Sequence, residues 1–361
     1  MKKAIYSFAG LNSEAEWSTM NGELGIEVFV VDNHSSDGSM EYLEPLFPFV
    51  QFIHSKENTG FAKANNHAFR LTQGEYILFL NPDTILPEDF FLKCIPLMEA
   101  NPRIGAMGVQ MIDGKGRFLK ESKRGLPTSW ASFCKLSGLT ALFPHSKLFA
   151  KYYLGHLSIN TNHEIEALSG ACMLVAKQVL DKTGGFDERF FMYAEDIDLS
   201  FRIRQSGYKN FYLADTTVIH FKGESTTKDL RSVKLFYTAM IQFVEKHYTG
   251  TKDRLYSKFL KQAIRLRALI AFGNLHLPKR TKKHSAQRPK IFFTGDDCSI
   301  REIKISYADT ATFVQYHSEA DEIILCEGKD FPFSKIIGAM KGSTGRNYKI
   351  HALKSSGVVG G

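Results

Sequence analysis

Val28-Phe29-Val30-Val31-Asp32-Asn33-His34-Ser35-Ser36-Asp37-Gly38 passes from four consecutive apolar residues into a polar turn. An unbroken apolar run of this kind fits a strand buried on both faces of a parallel sheet. The carboxyl end of such a strand is where open α/β sheets bind their ligands. The pattern repeats downstream. Ser39 to Glu44 predicts a short helix stopped by Pro45, and Val50 to Ile53 predicts a second strand. Gly60 then opens a helix with two adjacent amides, Asn65 and Asn66, that Gly74 closes. Tyr76 to Leu80 predicts a third buried strand, running into Asn81-Pro82-Asp83. A β-α-β-α-β order implies an α/β fold with a mostly parallel sheet, helices on its faces and right-handed crossovers.

Beyond that unit, Pro87 to Ala100 reads as a helix and Ile104 to Ile112 as a strand turned by Asp113-Gly114-Lys115-Gly116. Residues 121–157 lack a clear period and are expected to form an insertion over the mouth of the site. Glu166 to Val175 reads as a strand interrupted by small residues, as where a ligand approaches the backbone. Tyr212 to Phe221 reads as a strand delivering His220, and Leu230 to His247 as a helix with aromatic stripes.

Between these last two groups lies Gly184-Gly-Phe-Asp-Glu-Arg-Phe-Phe-Met-Tyr-Ala-Glu-Asp-Ile-Asp-Leu199. The pairs Ile197/Phe201 and Leu199/Ile203 recur at i,i+4, which predicts a helix whose first turn carries Glu195, Asp196 and Asp198. Acids there cap a helix and complement its dipole. A carboxylate on such a rigid mount can also take a proton from a substrate hydroxyl. Asp83, held beside a proline at a strand end, suits a hard cation such as Mg²⁺ or Mn²⁺ that also binds substrate phosphates. His220 is either a satisfied structural histidine or a ligand to that cation or to a diphosphate.

Composition narrows the class. Hydrophobic content of 43% and charged content of 23% are ordinary for a globular chain. The formal charge of +8 is concentrated in residues 251–290, where twelve Lys and Arg face Asp253 alone, so the remainder is slightly acidic. A basic segment on a mildly acidic body argues against nucleic acid as the partner. The five cysteines are dispersed and form no C-x-x-C pair, as expected of reduced core residues in a cytoplasmic protein. No signal-peptide core and no apolar run long enough to span a bilayer is visible.

Six motifs occur in order: 30–39, 58–66, 81–83, 169–171, 184–199 and 220–225. In spacing and content they closely resemble family 2 glycosyltransferases of the GT-A fold, especially bacterial rhamnosyltransferase-like members that build surface polysaccharides. The resemblance covers about Glu27 to Tyr248. It implies an inverting, metal-dependent hexosyl transfer from a nucleoside-diphosphate sugar, dTDP- or UDP-linked, to a glycan or lipid-linked glycan acceptor. Donor contacts are implied at Asp32, Asn33, Ser35, Asn58, Gly60, Asn65, Asn81, Asp83 and Gly170, with Mg²⁺ or Mn²⁺ on Asp83 and His220. Asp196 is implied as general base, beside Glu195. Residues 1–27 depart from the family, which opens with an apolar strand and a Tyr-Asn or similar pair; the expectation is a late start or a diverged segment.

Three parts are therefore expected: a GT-A domain over 1–250, a basic amphipathic helix and linker over 251–289, and a small half-Rossmann α/β unit over 290–361. Asp253 to Phe272 alternates Lys/Arg with apolar residues, which suits a helix on an anionic membrane as well as a solvated helix on the domain. The first option puts the protein on the inner face of the cytoplasmic membrane. The last part has no G-x-G-x-x-G and is assigned no dinucleotide. Two other readings compete. A sugar-1-phosphate nucleotidyltransferase would need a glycine-rich phosphate loop near the N-terminus, which is not seen. A catalytically impaired GT-A scaffold of a polysaccharide assembly complex is compatible with the atypical front.

Overall fold

A computed structural model of the chain describes residues 25–222, 230–248 and 288–353, with positions 258, 261–262, 264–265, 355 and 357–360. The expectations for residues 1–24 and for most of 251–289, the atypical front and the basic amphipathic helix, lie outside the described residues. The α/β class expected from the sequence is observed, as a central sheet flanked by helices with a smaller C-terminal α/β unit.

The opening stretch forms β1 (Phe29–Asp32), α1 (Ser39–Leu43) and β2 (Gln51–His54), and β1 and β2 pair in parallel. Helix α2 (Phe61–Phe69) follows and ends well before Gly74, which lies in the loop to β3 (Tyr76–Leu80). Glu27 receives the Gln73 and Gly74 amides at 2.8 Å each, tying the entries of β1 and β3 together.

The central sheet corrects the expectation of mostly parallel pairing. β3 runs antiparallel to β7 (Cys172–Ala176), and β7 antiparallel to β5 (Ile104–Ile112). β5 is parallel to the long β8 (Lys209–His220), which also takes the short antiparallel strands β4 (Thr84–Ile85) and β6 (His163–Ile165). Strands buried on both faces read as apolar whichever way they run, so the residues of β5 and β7, all buried, announce burial but not direction. The expected strand over Glu166 to Val175 begins only at Cys172; before it, Arg124 and Ala167 form an isolated bridge and the chain turns at Ser169 to Ala171.

Helices α3 (Phe90–Ala100), α6 (Lys177–Thr183), α7 (Glu195–Gln205) and α8 (Leu230–His247) are the other main helices of the body. The aperiodic insertion holds two short helices, α4 (Ser129–Ser137) and α5 (Leu139–Leu142). Its base is fixed by the buried Lys123, whose Nζ donates to the carbonyls of Leu154 (2.8 Å) and Leu157 (3.0 Å).

Residues 290–351 form β9 (Lys290–Gly295), α9 (Asp297–Tyr307), β10 (Thr312–Phe313), β11 (Glu322–Cys326), α10 (Phe333–Gly342) and β12 (Tyr348–His351). The strands are all parallel, in the order β10-β9-β11-β12. This unit shares a core with the body: Ile85, Ile112 and Ile219 pack among Ile323, Leu325, Phe333, Ile336, Ile337 and Met340. Glu88 caps α10 from the body, accepting the Phe333 and Ser334 amides at 2.5 and 3.0 Å, which places a carboxylate at a helix N-terminus.

A common core predicts common melting. Ile336→Ala, at a fully buried site, should cost about 2–5 kcal/mol and lower one cooperative thermal transition of the whole chain. A calorimetric trace in which the body keeps its own melting point while a second transition falls would show that the two parts are energetically separate.

Candidate functional site

The Asn81-Pro82-Asp83 turn is closed by Thr84, whose amide (3.2 Å) and hydroxyl (2.6 Å) both donate to the Asn81 carbonyl. Thr84 pairs with His220 across β4 and β8, and Phe221 N donates to the Asp83 carbonyl at 2.9 Å. That pairing brings the two expected metal ligands side by side, with His220 Nε2 3.2 Å from Asp83 Oδ1. Burial alone would push the Asp83 carboxyl up; the hydrogen bond and charge offered by His220 outweigh it and hold it below the ordinary value. The contact is not aligned well enough to satisfy either group. Both Asp83 oxygens and His220 Nδ1 are buried without a hydrogen-bond partner. Orphaned acceptors on a buried carboxylate are costly unless something else binds them. Among the described residues no three His, Cys, Asp or Glu groups converge. Two protein donors are enough for Mg²⁺ or Mn²⁺, which keeps waters and takes substrate phosphates for its remaining positions.

On the opposite side of the Ser169–Ala171 turn stands α7. The Asn81 amide donates to the Ala171 carbonyl at 2.9 Å, and the neighbouring Gly170 amide donates to Asp196 Oδ2 at 3.0 Å. A Cβ on Gly170 would sit 3.3 Å from that of Asp196, so the residue must be small for the approach. The same Asp196 oxygen accepts Arg124 Nη2 at 2.6 Å, while Oδ1 takes the Ile197 amide at 2.8 Å. Arg124 also donates to the Leu168 carbonyl, and the charge of Asp196 holds its guanidinium above its ordinary pKa despite burial, which acts the other way.

The three acids of α7 have separate fates. Asp198 is fully buried and receives Arg202 Nε (2.8 Å), Lys246 Nζ (2.5 Å) and His247 Nε2 (2.7 Å). Burial would raise its pKa, but these partners hold it below the ordinary value. For Glu195 burial first, then the charge of Asp196, outweigh a backbone hydrogen bond and the Arg124 charge and push it up to about 8, and its Oε2 has no partner. Asp196 is 13% exposed, the most open of the three. Tyr193 and Ala194 lead into the helix in the left-handed region (φ 71° and 64°), a conformation that costs roughly 1–3 kcal/mol per non-glycine residue and is concentrated at functional sites.

The expected donor residues divide. Asp32 is buried at the end of β1 and accepts the Ser35 amide at 3.0 Å, so these two make a local turn. Asn33 and Asn58 are bracing groups. Asn33 donates to Asn58 Oδ1 (3.0 Å) and accepts the Thr59 amide (2.9 Å), while Asn58 Oδ1 also takes the Gly60 amide (3.0 Å). Gly60, at φ 85°, leaves no room for a side chain: a Cβ would lie 2.4 Å from the Phe191 carbonyl, which itself accepts the Phe61 amide. That contact joins the start of α2 to the loop before α7. Asn65 bonds back to the Phe61 carbonyl at 2.9 Å. Its neighbour Asn66, to which the sequence assigns no site role, is the amide that reaches across: it accepts the Phe186 amide (2.9 Å) and donates to the Phe186 carbonyl (2.8 Å). A separate cavity of about 390 Å³, bounded by Asn66, Arg70, Asp187, Glu188 and Lys246 among others, is lined by none of the expected site residues.

Arg124 was overlooked, because it sits in the aperiodic segment. The available signal was a Lys-Arg pair opening a stretch, 122–163, that has no acidic residue to pair with it.

With this geometry in view, residues 13–184 match the model of Glycosyl transferase family 2. The chain carries a family 2 glycosyltransferase domain. It is 28% identical over 218 residues to the N-acetylglucosaminyl-diphospho-decaprenol L-rhamnosyltransferase of Mycobacterium tuberculosis, covering 57% of this chain and 70% of that protein. It is 30% identical over 169 residues to the rhamnosyltransferase WbbL of Escherichia coli K12, covering 45% of this chain and 61% of the other. Among solved structures, a mannosyltransferase of Pyrobaculum calidifontis in complex with GDP-Man and Mn²⁺ aligns over 75% of this chain and 67% of its own, at 16% identity and a TM-score of 0.45.

Burial and the charge of Asp196 raise the carboxyl group of Glu195. Folded Glu195 holds its proton up to about pH 8, whereas an unfolded glutamate loses it near 4.5. Its contribution to stability is complete below pH 4.5 and is lost as the pH rises to 8. Wild type should therefore lose stability between pH 5 and 8 relative to Glu195→Gln in urea titrations; parallel curves for the two proteins would show that Glu195 is ionised at neutral pH.

Proposed function

We propose that this chain is an inverting glycosyltransferase in which Asp196 takes the proton from the acceptor hydroxyl, with Asp83 and His220 holding a divalent cation at the donor diphosphate. The observation that carries the proposal is the Ser169–Ala171 turn: its Gly170 amide donates to Asp196 and its Ala171 carbonyl accepts from Asn81, in the motif that ends in Asp83. A single displacement at an anomeric carbon needs a proton acceptor on one face and charge neutralisation on the other. The bound cation would supply the second; the chain supplies orphaned carboxylate oxygens for it.

Asp196 is the better base of the adjacent pair for a physical reason. Burial and the charge of Asp196 hold Glu195 toward its protonated form, which makes it the poorer proton acceptor at neutral pH. Asp196 is anchored through one oxygen by a guanidinium and a backbone amide, which fixes its aim before substrate arrives. Asp32, Ser35, Asn65 and the Asn33–Asn58 brace are assigned to the donor's nucleoside side, with Gly60 and Gly170 allowing close approach.

The donor is taken to be a dTDP- or UDP-sugar, rhamnosyl by analogy with the named relatives, and the acceptor a lipid-linked glycan, as the mycobacterial relative's name describes. The site of action is then the cytoplasmic face of the membrane. No helix among the described residues is long and apolar enough to cross one.

Asp196→Asn keeps the shape but cannot accept a proton, so sugar transfer should fall by about 10² or more while donor binding stays near wild type. Transfer at close to the wild-type rate would remove Asp196 from the role. Asp83→Ala should abolish the Mn²⁺-dependent part of UDP or dTDP affinity in calorimetry, and an unchanged metal dependence would dismiss the cation site. The scaffold reading predicts instead that even the unaltered chain binds neither nucleotide.

A further inference from the structure

The insertion presents a face that the sugar chemistry does not use. Leu142 is 72% exposed, and Trp130, Phe133, Phe143 and Leu148 each stand 41% or more exposed on α4, α5 and the loop after them. The rings are organised rather than scattered. Trp130 stacks on Phe133 at 5.6 Å and leans on Phe149 at 6.1 Å, which in turn meets Phe143 at 5.2 Å. The Trp130 indole N–H is spent inside the insertion, donating to the Leu148 carbonyl at 2.8 Å. Its apolar surface is left facing outward. Contiguous exposed apolar groups on this scale mark an interaction surface.

The charge around the patch says which kind. From 122 to 163 the sequence contains no Asp or Glu. Lys147 and Lys151 are exposed beside the aromatic cluster, and Lys135 lies over the Tyr152 ring at 3.7 Å. Exposed Trp, Phe and Leu with exposed lysines next to them in the chain suit the boundary between headgroups and acyl chains, apolar groups inserted and ammonium groups on anionic headgroups. A second copy of the same face would set Lys147 and Lys151 against like charges.

We propose that the 129–149 face docks on an anionic lipid bilayer. Arg124, near the start of the insertion, holds Asp196, so docking there would bring the base toward the membrane surface. That consequence rests on the transferase reading above; the docking itself does not. It is also distinct from any lipid contact made by the basic residues between 251 and 290.

The chain has two tryptophans, Trp17 and Trp130, so Trp17→Phe in the full chain leaves one reporter at the patch. With vesicles of phosphatidylglycerol carrying brominated acyl chains, Trp130 emission should shift to the blue and be quenched; pure phosphatidylcholine vesicles should give little of either. Lys147→Gln combined with Lys151→Gln should weaken this partitioning about thirtyfold, and Leu142→Ser with Phe143→Ser should weaken it further while UDP or dTDP affinity stays unchanged. Co-sedimentation with vesicles but no change at Trp130 would assign lipid binding to another segment and overturn the proposal. So would a dimer in sedimentation velocity that the Leu142→Ser, Phe143→Ser pair dissociates, with no quenching by lipid.

Discussion

A carboxylate with no access to water fixes the orientation of the helix that carries Glu195 and Asp196. Asp198 sits at the centre of Arg202, Lys246 and His247, contributed by α7 itself and by the far end of α8. Such a cluster adds little net stability over a well-packed apolar one, but losing one partner leaves an uncompensated buried charge. Its effect is therefore geometric: α7 cannot roll or slide against α8 without separating these charges. Since Glu195 and Asp196 are one turn or less away on the same helix, their directions are inherited from Asp198.

The environment, not the residue type, then separates the three acids. Asp198 is met by Arg202, Lys246 and His247, Asp196 meets one guanidinium and two backbone amides, and Glu195 is buried beside two like charges that Arg124 does not offset. Nothing in the string Glu-Asp-Ile-Asp distinguishes them. Arg202 is one helical turn from Asp198 and could be anticipated from sequence, but Arg124, Lys246 and His247 come from 48 to 72 residues away.

The same division between local and distant governs what was legible elsewhere. Tyr76–Leu80, Ile104–Ile112 and Leu230–His247 fall where the apolar patterns put them, because each pattern is complete within its own segment. The family-level reading succeeded for a related reason: its motifs are short, local and ordered along the chain. Strand direction in the central sheet escaped notice because a doubly buried strand carries no polar face to orient it. The split of Glu166–Val175 escaped because Ser169-Gly170-Ala171 is apolar enough to pass as strand, although its backbone groups are turned toward Asn81 and Asp196. The sequence assigns Arg124 and Asn66 no site role because each acts on a partner far along the chain.

The core shared by Ile85, Ile112 and Ile219 with the C-terminal strands has a bearing on biosynthesis. All three isoleucines leave the ribosome more than a hundred residues before their cover, β11, α10 and β12, is made. At roughly 5–20 residues per second, a growing chain carries that uncovered apolar patch for on the order of ten seconds. Thr84 and His220, which hold the Asp83 turn, adjoin Ile85 and Ile219 on the same two strands. The nascent protein is thus exposed to aggregation at the back of its own Asn81–Asp83 turn, and to chaperone capture there, until its last strand is in place.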